Sequence, residues 1–313
     1  MSLHRDTNGQ FRHLLDLEHL PVDRLDRLLR RAQAFSGGAQ APQALAGVAV
    51  CTLFFEPSTR TRLSFQLAAQ RLGAQILNFD ASTSSATKGE TDLDTFRTIQ
   101  AMGVRGFVVR HKHDGAVAAL VAAANPGVAV INAGDGRSHH PTQGLLDMLT
   151  LRQAHGDDFS KLKVVMVGDV KHSRVARSDL HALRALGCGE IRVCGPAALL
   201  PDDDTLHGCV VTDDFDAALD GVDAMMMLRL QRERMAEGLV DSIEHYHRDY
   251  GLTSLRVRRA AANAIVMHPG PMNRGVEISD EVADGAQSRI LQQVANGVVV
   301  RMAVLESVLS APE

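Results

Sequence analysis

Six consecutive residues, Pro57-Ser58-Thr59-Arg60-Thr61-Arg62, gather three hydroxyls and two guanidinia just before the apolar spacing Phe65, Ala68, Ala69, Leu72. That spacing is helical, and Gly73 suits the position just past a helix end. The first turn of a helix has unpaired N–H donors and a partial positive charge, so it attracts anions. A guanidinium fork matches phosphate oxygens, and short hydroxyls add further donors. A lone Ser or Thr there would read as an N-cap. Two arginines and three hydroxyls in five residues read instead as a phosphate cradle.

Further polar residues recur just after apolar runs. Arg110 ends the run 107–109, and His140 follows the run 128–131 in Gly134-Asp135-Gly136-Arg137-Ser138-His139-His140-Pro141-Thr142-Gln143. Arg174 follows 163–168, Arg229 and Gln231 follow 224–228, and the turn His268-Pro269-Gly270-Pro271 follows 264–267, its prolines fixing backbone carbonyls. One Arg at a strand end usually means a solvated or ion-paired side chain. Four of them, Arg60, Arg110, Arg174 and Arg229, in a chain of net charge −4 make a local positive funnel for small ligands bearing several negative charges. His139 and His140 lack a third ligand at useful spacing, so they do not read as a metal site. The pairs His111/His113 and His245/His247 read as surface residues.

Positioning these groups requires strands that end at a common edge. The apolar runs 48–55, 75–79, 107–109 and 128–131, then 163–168, 191–194, 224–228 and 264–267, alternate with helical patterns. This implies an α/β chain of two doubly wound domains, each a parallel sheet flanked by helices, with strand C-terminal ends facing the ligands. Thr91 and Asp94 are placed to cap a helix with Leu93, Phe96 and Ile99 inside. A helix from Pro141, with Leu145, Met148 and Leu149 on one stripe, is the candidate bridge between domains. A last helix carries Leu291, Val294, Val298, Met302 and Leu305 as its packing stripe. The expected division is 1–148, with 290–313 packing back on it, and 149–289.

At 313 residues, 45% hydrophobic and 22% charged, the chain suits two ordinary domains rather than a disordered segment. The mild negative charge argues against a general nucleic-acid or membrane surface. No run approaches the ~20 apolar residues of a membrane span, and no signal-peptide core is evident. Cys51, Cys188, Cys194 and Cys209 form no CxxC pair and read as reduced thiols of a cytoplasmic protein. No GxGxxG follows any strand, so a dinucleotide enzyme is disfavoured.

Taken together and in this order, the motifs at 57–62, Arg110-His111, 140–143, 168–174, Arg229-Leu230-Gln231 and 268–271 resemble the aspartate carbamoyltransferase catalytic-chain family of the aspartate/ornithine carbamoyltransferase superfamily. The resemblance covers nearly the whole length. It implies carbamoyl transfer from carbamoyl phosphate to L-aspartate, the committed step toward pyrimidines. By position, Ser58, Thr59, Arg60 and Thr61 would bind the phosphate, and Arg110, His140 and Thr61 the carbonyl oxygen. Gln143, with the backbone around Gly270 and Pro271, would hold the carbamoyl nitrogen. Arg174, Arg229 and Gln231 would bind the aspartate carboxylates, and Ser84 and Lys88 would reach the neighbouring subunit's site in a homotrimer. No metal and no organic cofactor are expected, and dihydroorotase-like or regulatory chains stay open as partners. The ornithine branch shares the phosphate and His-Pro motifs. A cationic substrate side chain would not need Arg229 with Gln231, and that branch typically has Cys in the His-X-X-Pro turn where Gly270 stands here. A catalytically silent scaffold subunit is the remaining alternative, disfavoured because every chemical position is intact.

Overall fold

The computed structural model describes residues 4–6, 8–80, 89–230 and 242–310. Backbone contacts divide the chain into a first unit, Met1–Leu149 with Val294–Glu313, and a second, Thr150–Gln293.

In the first unit, β1 (His13–Leu14), α1 (Val22–Ser36), β2 (Ala49–Phe54), α2 (Thr59–Arg71), β3 (Gln75–Asp80), α3 (Asp92–Ala101), β4 (Gly106–His111), α4 (Ala116–Val121) and β5 (Ala129–Asp135) lead into α5 (Pro141–His155). The sheet order is β1-β5-β4-β2-β3, and every pairing is parallel. Burial in β5 runs unbroken rather than alternating, as in a sheet covered on both faces. Leu53, Phe96, Phe107, Val109 and Val130 form the core on one face, with the Phe96 and Phe107 rings 4.5 Å apart.

The second unit continues with β6 (Lys163–Val167), α6 (Arg174–Ala185), β7 (Glu190–Cys194), β8 (Val210–Thr212), α7 (Phe215–Leu219), β9 (Ala224–Met227), a helix Ile243–Tyr250 and β10 (Ile265–Met267). Its sheet, β10-β9-β6-β7-β8, is again all parallel. Val165, Val167, Met225, Met227 and Val266 pack against Ile278 and Phe215.

Both sheets are doubly wound. The chain moves outward from β2 to β3, then returns to the other side of β2 for β4 and β5. It likewise moves from β6 to β7 and β8, then returns for β9 and β10. Each reversal leaves a crevice at the strand C-terminal ends, between β2 and β4 and between β6 and β9.

Local expectations for α2, α3 and α5 hold. Phe65, Ala68, Ala69 and Leu72 are buried, and Gly73 has a left-handed φ of +81°. Thr91 accepts the Asp94 N–H at 3.1 Å. Pro141 opens α5, and Leu145, Met148 and Leu149 are wholly buried.

The C-terminal helix, Ile290–Leu309, differs. Leu291 and Val294 are 81% and 48% exposed, while Gln293 and Asn296 are buried. The Gln293 side chain accepts the His268 N–H at 2.9 Å, so polar residues occupy the inner face and the apolar spacing points outward. Farther along, Val299, Val300, Met302, Val304, Leu305 and Val308 are buried. The four cysteines are free thiols. Burial pushes Cys51 and Cys194 up to about 12 and Cys188 to about 11.

Candidate active site

The crevice between β2 and β4 receives the cradle. Phe54, the last residue of β2, lies opposite Arg110 of β4, and Ser58 stands at the N-cap of α2 four residues later. Thr59 and Arg60 are exposed, Ser58 is half-buried and Thr61 is buried. Ser58 has extended backbone angles yet makes no side-chain bond to its own helix. By contrast, Thr91, Ser173, Asp214, Ser242 and Thr253 each accept a first-turn N–H of the helix they precede. The Ser58 hydroxyl therefore does not close the start of α2, and a helix start of this kind attracts anions.

Arg110 is held rigidly beside this point. Its Nε lies 2.6 Å from Glu56 Oε1, and its Nη1 donates to the Ala133 carbonyl at 3.1 Å. The loop after β5 turns on Asp114, whose Oδ1 accepts from Arg137 N at 2.6 Å and Ser138 Oγ at 2.8 Å. It delivers a buried His140 to the start of α5, where the His140 carbonyl accepts from Gln143 N at 2.9 Å. The Gln143 Nε2 donates to both oxygens of the fully buried Asp147, at 3.2 and 3.1 Å. Ser58, Thr59, Arg60, Thr61, Arg110, His140 and Gln143 thus share the C-terminal edge of the first sheet.

The second sheet repeats the arrangement. Ser173 caps α6, which Arg174 begins, after β6; Arg229 follows β9 and is exposed. The turn after β10 is organised by one carboxylate. Glu277 Oε1 takes the His268 Nε2 at 3.1 Å and the Asn273 N–H at 2.6 Å, and Oε2 takes Asn273 Nδ2 at 3.2 Å. Gly270 N donates to His268 Nδ1 at 2.8 Å, which leaves the ring proton on Nε2, facing Glu277. Asn273 Nδ2 also reaches the Leu230 carbonyl at 2.9 Å, fastening the residue after Arg229 to the turn bearing Gly270 and Pro271. Gly270 has φ +68°, and its bond to Pro271 is cis.

Ser84, Lys88 and Gln231 lie outside the described residues. Of the two histidine pairs, His113 and His245 are exposed as expected, but His111 is buried, paired with Asp92 at 3.0 Å and edge-on to Phe55, and His247 is half-buried and binds the Val276 carbonyl at 2.8 Å. Glu56, Asp147, Asn273 and Glu277 are the organising residues that sequence reasoning missed. A cavity of about 580 Å³ lies at the opposite edge of the second sheet, by Ala264 and Ile265 at the start of β10, and holds none of the candidate residues. Its Gln287 and Arg289 side chains are engaged by backbone carbonyls.

A family model described as the aspartate/ornithine carbamoyltransferase carbamoyl-P binding domain matches residues 12–153, and its Asp/Orn binding domain partner matches 160–308. The chain belongs to the aspartate/ornithine carbamoyltransferase family. Among carbamoyltransferase relatives, the aspartate carbamoyltransferase catalytic subunit of Stenotrophomonas maltophilia strain K279a is 72% identical, covering 97% of this chain and 98% of that protein. The crystal structure of aspartate transcarbamoylase from Trypanosoma cruzi with carbamoyl aspartate and phosphate matches with TM-score 0.84 at 30% identity over 99% of both chains. The ornithine carbamoyltransferase of Thermus thermophilus matches with TM-score 0.85 at 26% identity, over 95% of this chain and 99% of that one. The carbamoyltransferase fold therefore accommodates either amino acid.

Proposed function

We propose that the chain transfers the carbamoyl group of carbamoyl phosphate to the amine of L-aspartate, releasing phosphate and N-carbamoyl-L-aspartate, in pyrimidine biosynthesis. The observation that carries this reading is the α2 N-terminus, where Ser58 leaves the helix uncapped beside an Arg110 already fixed by Glu56 and Ala133. Ser58, Thr59, Arg60 and Thr61 bind the phosphate. Arg110, His140 and Thr61 face the carbonyl oxygen. Attack by a neutral amine builds negative charge there, and donors fixed beforehand stabilise that charge more than the ground state. The departing phosphate accepts the ammonium proton, so no covalent nucleophile is needed. Holding both reactants in line contributes several kcal/mol more, on the order of 7–11 in favourable intramolecular cases.

Aspartate is favoured over ornithine because Arg174, Arg229 and Gln231 suit two carboxylates, and because the 72% identical relative carries the aspartate name. The backbone itself favours neither, since the ornithine enzyme aligns equally well. A homotrimer with Ser84 and Lys88 contributed to a neighbour's site belongs to the same proposal. Leu63 and Leu67 on α2 and Leu77 on the edge strand β3 are 58%, 40% and 46% exposed, an apolar edge suited to a second copy. Free thiols fit a cytoplasmic location. A carbamoylation assay with aspartate and ornithine offered separately, with no metal added, tests the reading. Product from aspartate alone is expected; product from ornithine alone, or from neither, overturns it.

A further inference from the structure

A primary amide has two polar ends that differ in hydrogen-bonding sense, and coordinates alone do not tell them apart; the neighbours do. Gln143 and Asp147 stand four residues apart on α5, on one face of the helix. Both carboxylate oxygens of Asp147 lie within 3.2 Å of the amide, and an ionised carboxylate only accepts. The NH₂ end is therefore turned inward, and Oε1 is left as the outward end.

The buried carboxylate also acts electrostatically on an arginine of another helix. Arg301 of the C-terminal helix is buried, stacked 5.0 Å over the Phe65 ring of α2. Burial first, then repulsion from Arg110, lowers its pKa to about 9, and the Asp147 charge opposes that drop. A Cβ at Gly297 would collide with Arg301 Nη1, so the glycine within this helix makes room for the guanidinium. Arg301 thus ties the C-terminal helix to α2, within electrostatic reach of the Asp147 charge on α5.

We propose that Asp147 is a positioning residue that makes the site selective for a donor bearing N–H next to its carbonyl, by fixing Gln143 with its acceptor end toward the ligand. This rests on the reading above that Gln143 faces the carbamoyl nitrogen. A carbamoyl group presents NH₂ to Oε1. An acetyl group of the same shape presents CH₃ and leaves the acceptor unsatisfied, at a cost comparable to one lost hydrogen bond, about tenfold in binding. In Asp147→Asn the facing amide both donates and accepts, so Gln143 no longer has a single orientation.

The test measures dissociation constants of carbamoyl phosphate, acetyl phosphate and inorganic phosphate by competition calorimetry without aspartate, so that no transfer occurs. Wild type is expected to prefer carbamoyl over acetyl phosphate by about tenfold or more. Asp147→Asn and Gln143→Met should both shrink that preference severalfold while inorganic phosphate binds unchanged, and the double variant should lose no more than either alone. A folded Asp147→Asn that keeps the wild-type preference overturns the proposal, because general damage to the site would weaken both donors alike. Should Asp147→Asn fail to fold, Asp147→Ser, whose hydroxyl also donates and accepts, carries the same expectation and the same overturning result. Wild type that fails to bind carbamoyl phosphate at all sinks the functional reading instead, and an unchanged preference in Gln143→Met sinks the role given to that amide.

Discussion

The Ser58 hydroxyl shows how much a single side chain can say. Thr91, Ser173 and Ser242 close the helices they precede, whereas Ser58, like Ser279, does not. Arg60 stands in the first turn that this leaves open, and the Arg60→Ala variant is expected to lose kcat/KM by about 10³. Carbamoyl phosphate binding should vanish by the same calorimetric measure, and full activity would remove the cradle from the account. The donors were legible from the sequence because Ser, Thr and Arg in a tight cluster before a helix have few structural uses. Their acceptors were not. Glu56, Asp147 and Glu277 are ordinary carboxylates in the sequence, and each gains its meaning from the partner that the fold brings to it: Arg110, Gln143 and His268. Nor does spacing tell that Gln293 and Asn296 face inward, because a buried amide is invisible to a count of apolar residues.

Central strands were readable as unbroken apolar runs because helices cover both faces, whereas the edge strands β1 and β8 were not. β1 is two residues long and half histidine, and β8 is three residues, largely exposed. β1, although buried, is too short and β8 too exposed to give a hydrophobic signal in the sequence. β1 nonetheless leaves a mark on stability. His13 accepts the Val130 N–H through Nδ1 at 3.2 Å, pairing β1 to β5, and burial lowers its pKa to about 4 from 6.5. The unfolded chain therefore takes up the proton first as pH falls. The contribution of this site is full above pH 6.5 and declines between 6.5 and 4, by about 2 kcal/mol at pH 5. Urea midpoints at pH 7.5 and pH 5 should drop accordingly in wild type and much less in His13→Asn, whose oxygen can accept the same N–H. Equal drops in the two proteins would clear His13 of the effect.

At the scale of the molecule, two parallel sheets, each reversing direction once, account for why the described candidate residues gather at the C-terminal ends of β2, β4, β5, β6, β9 and β10, the strands at and beyond each reversal, and none follows β7 or β8. That architecture was accessible from alternation alone; assembly is a further step, carried by the proposal that Lys88 serves a neighbouring site. Arg60→Ala and Lys88→Ala chains, each inactive by itself, should regain part of the activity when dissociated and reassembled together. Both lesions can then fall in one site and leave another intact. No recovery after verified exchange of chains would confine Lys88 to its own subunit.

The sulfur atoms, two buried and two half-buried, have a practical side. A thiolate is the species that reacts with maleimides, and with pKa values near 11 to 12 at Cys51, Cys188 and Cys194 almost none forms at neutral pH. Burial raises the half-buried Cys209 thiol as well, so a fluorophore or spin probe attached at one introduced surface cysteine would report from that position with little competing signal.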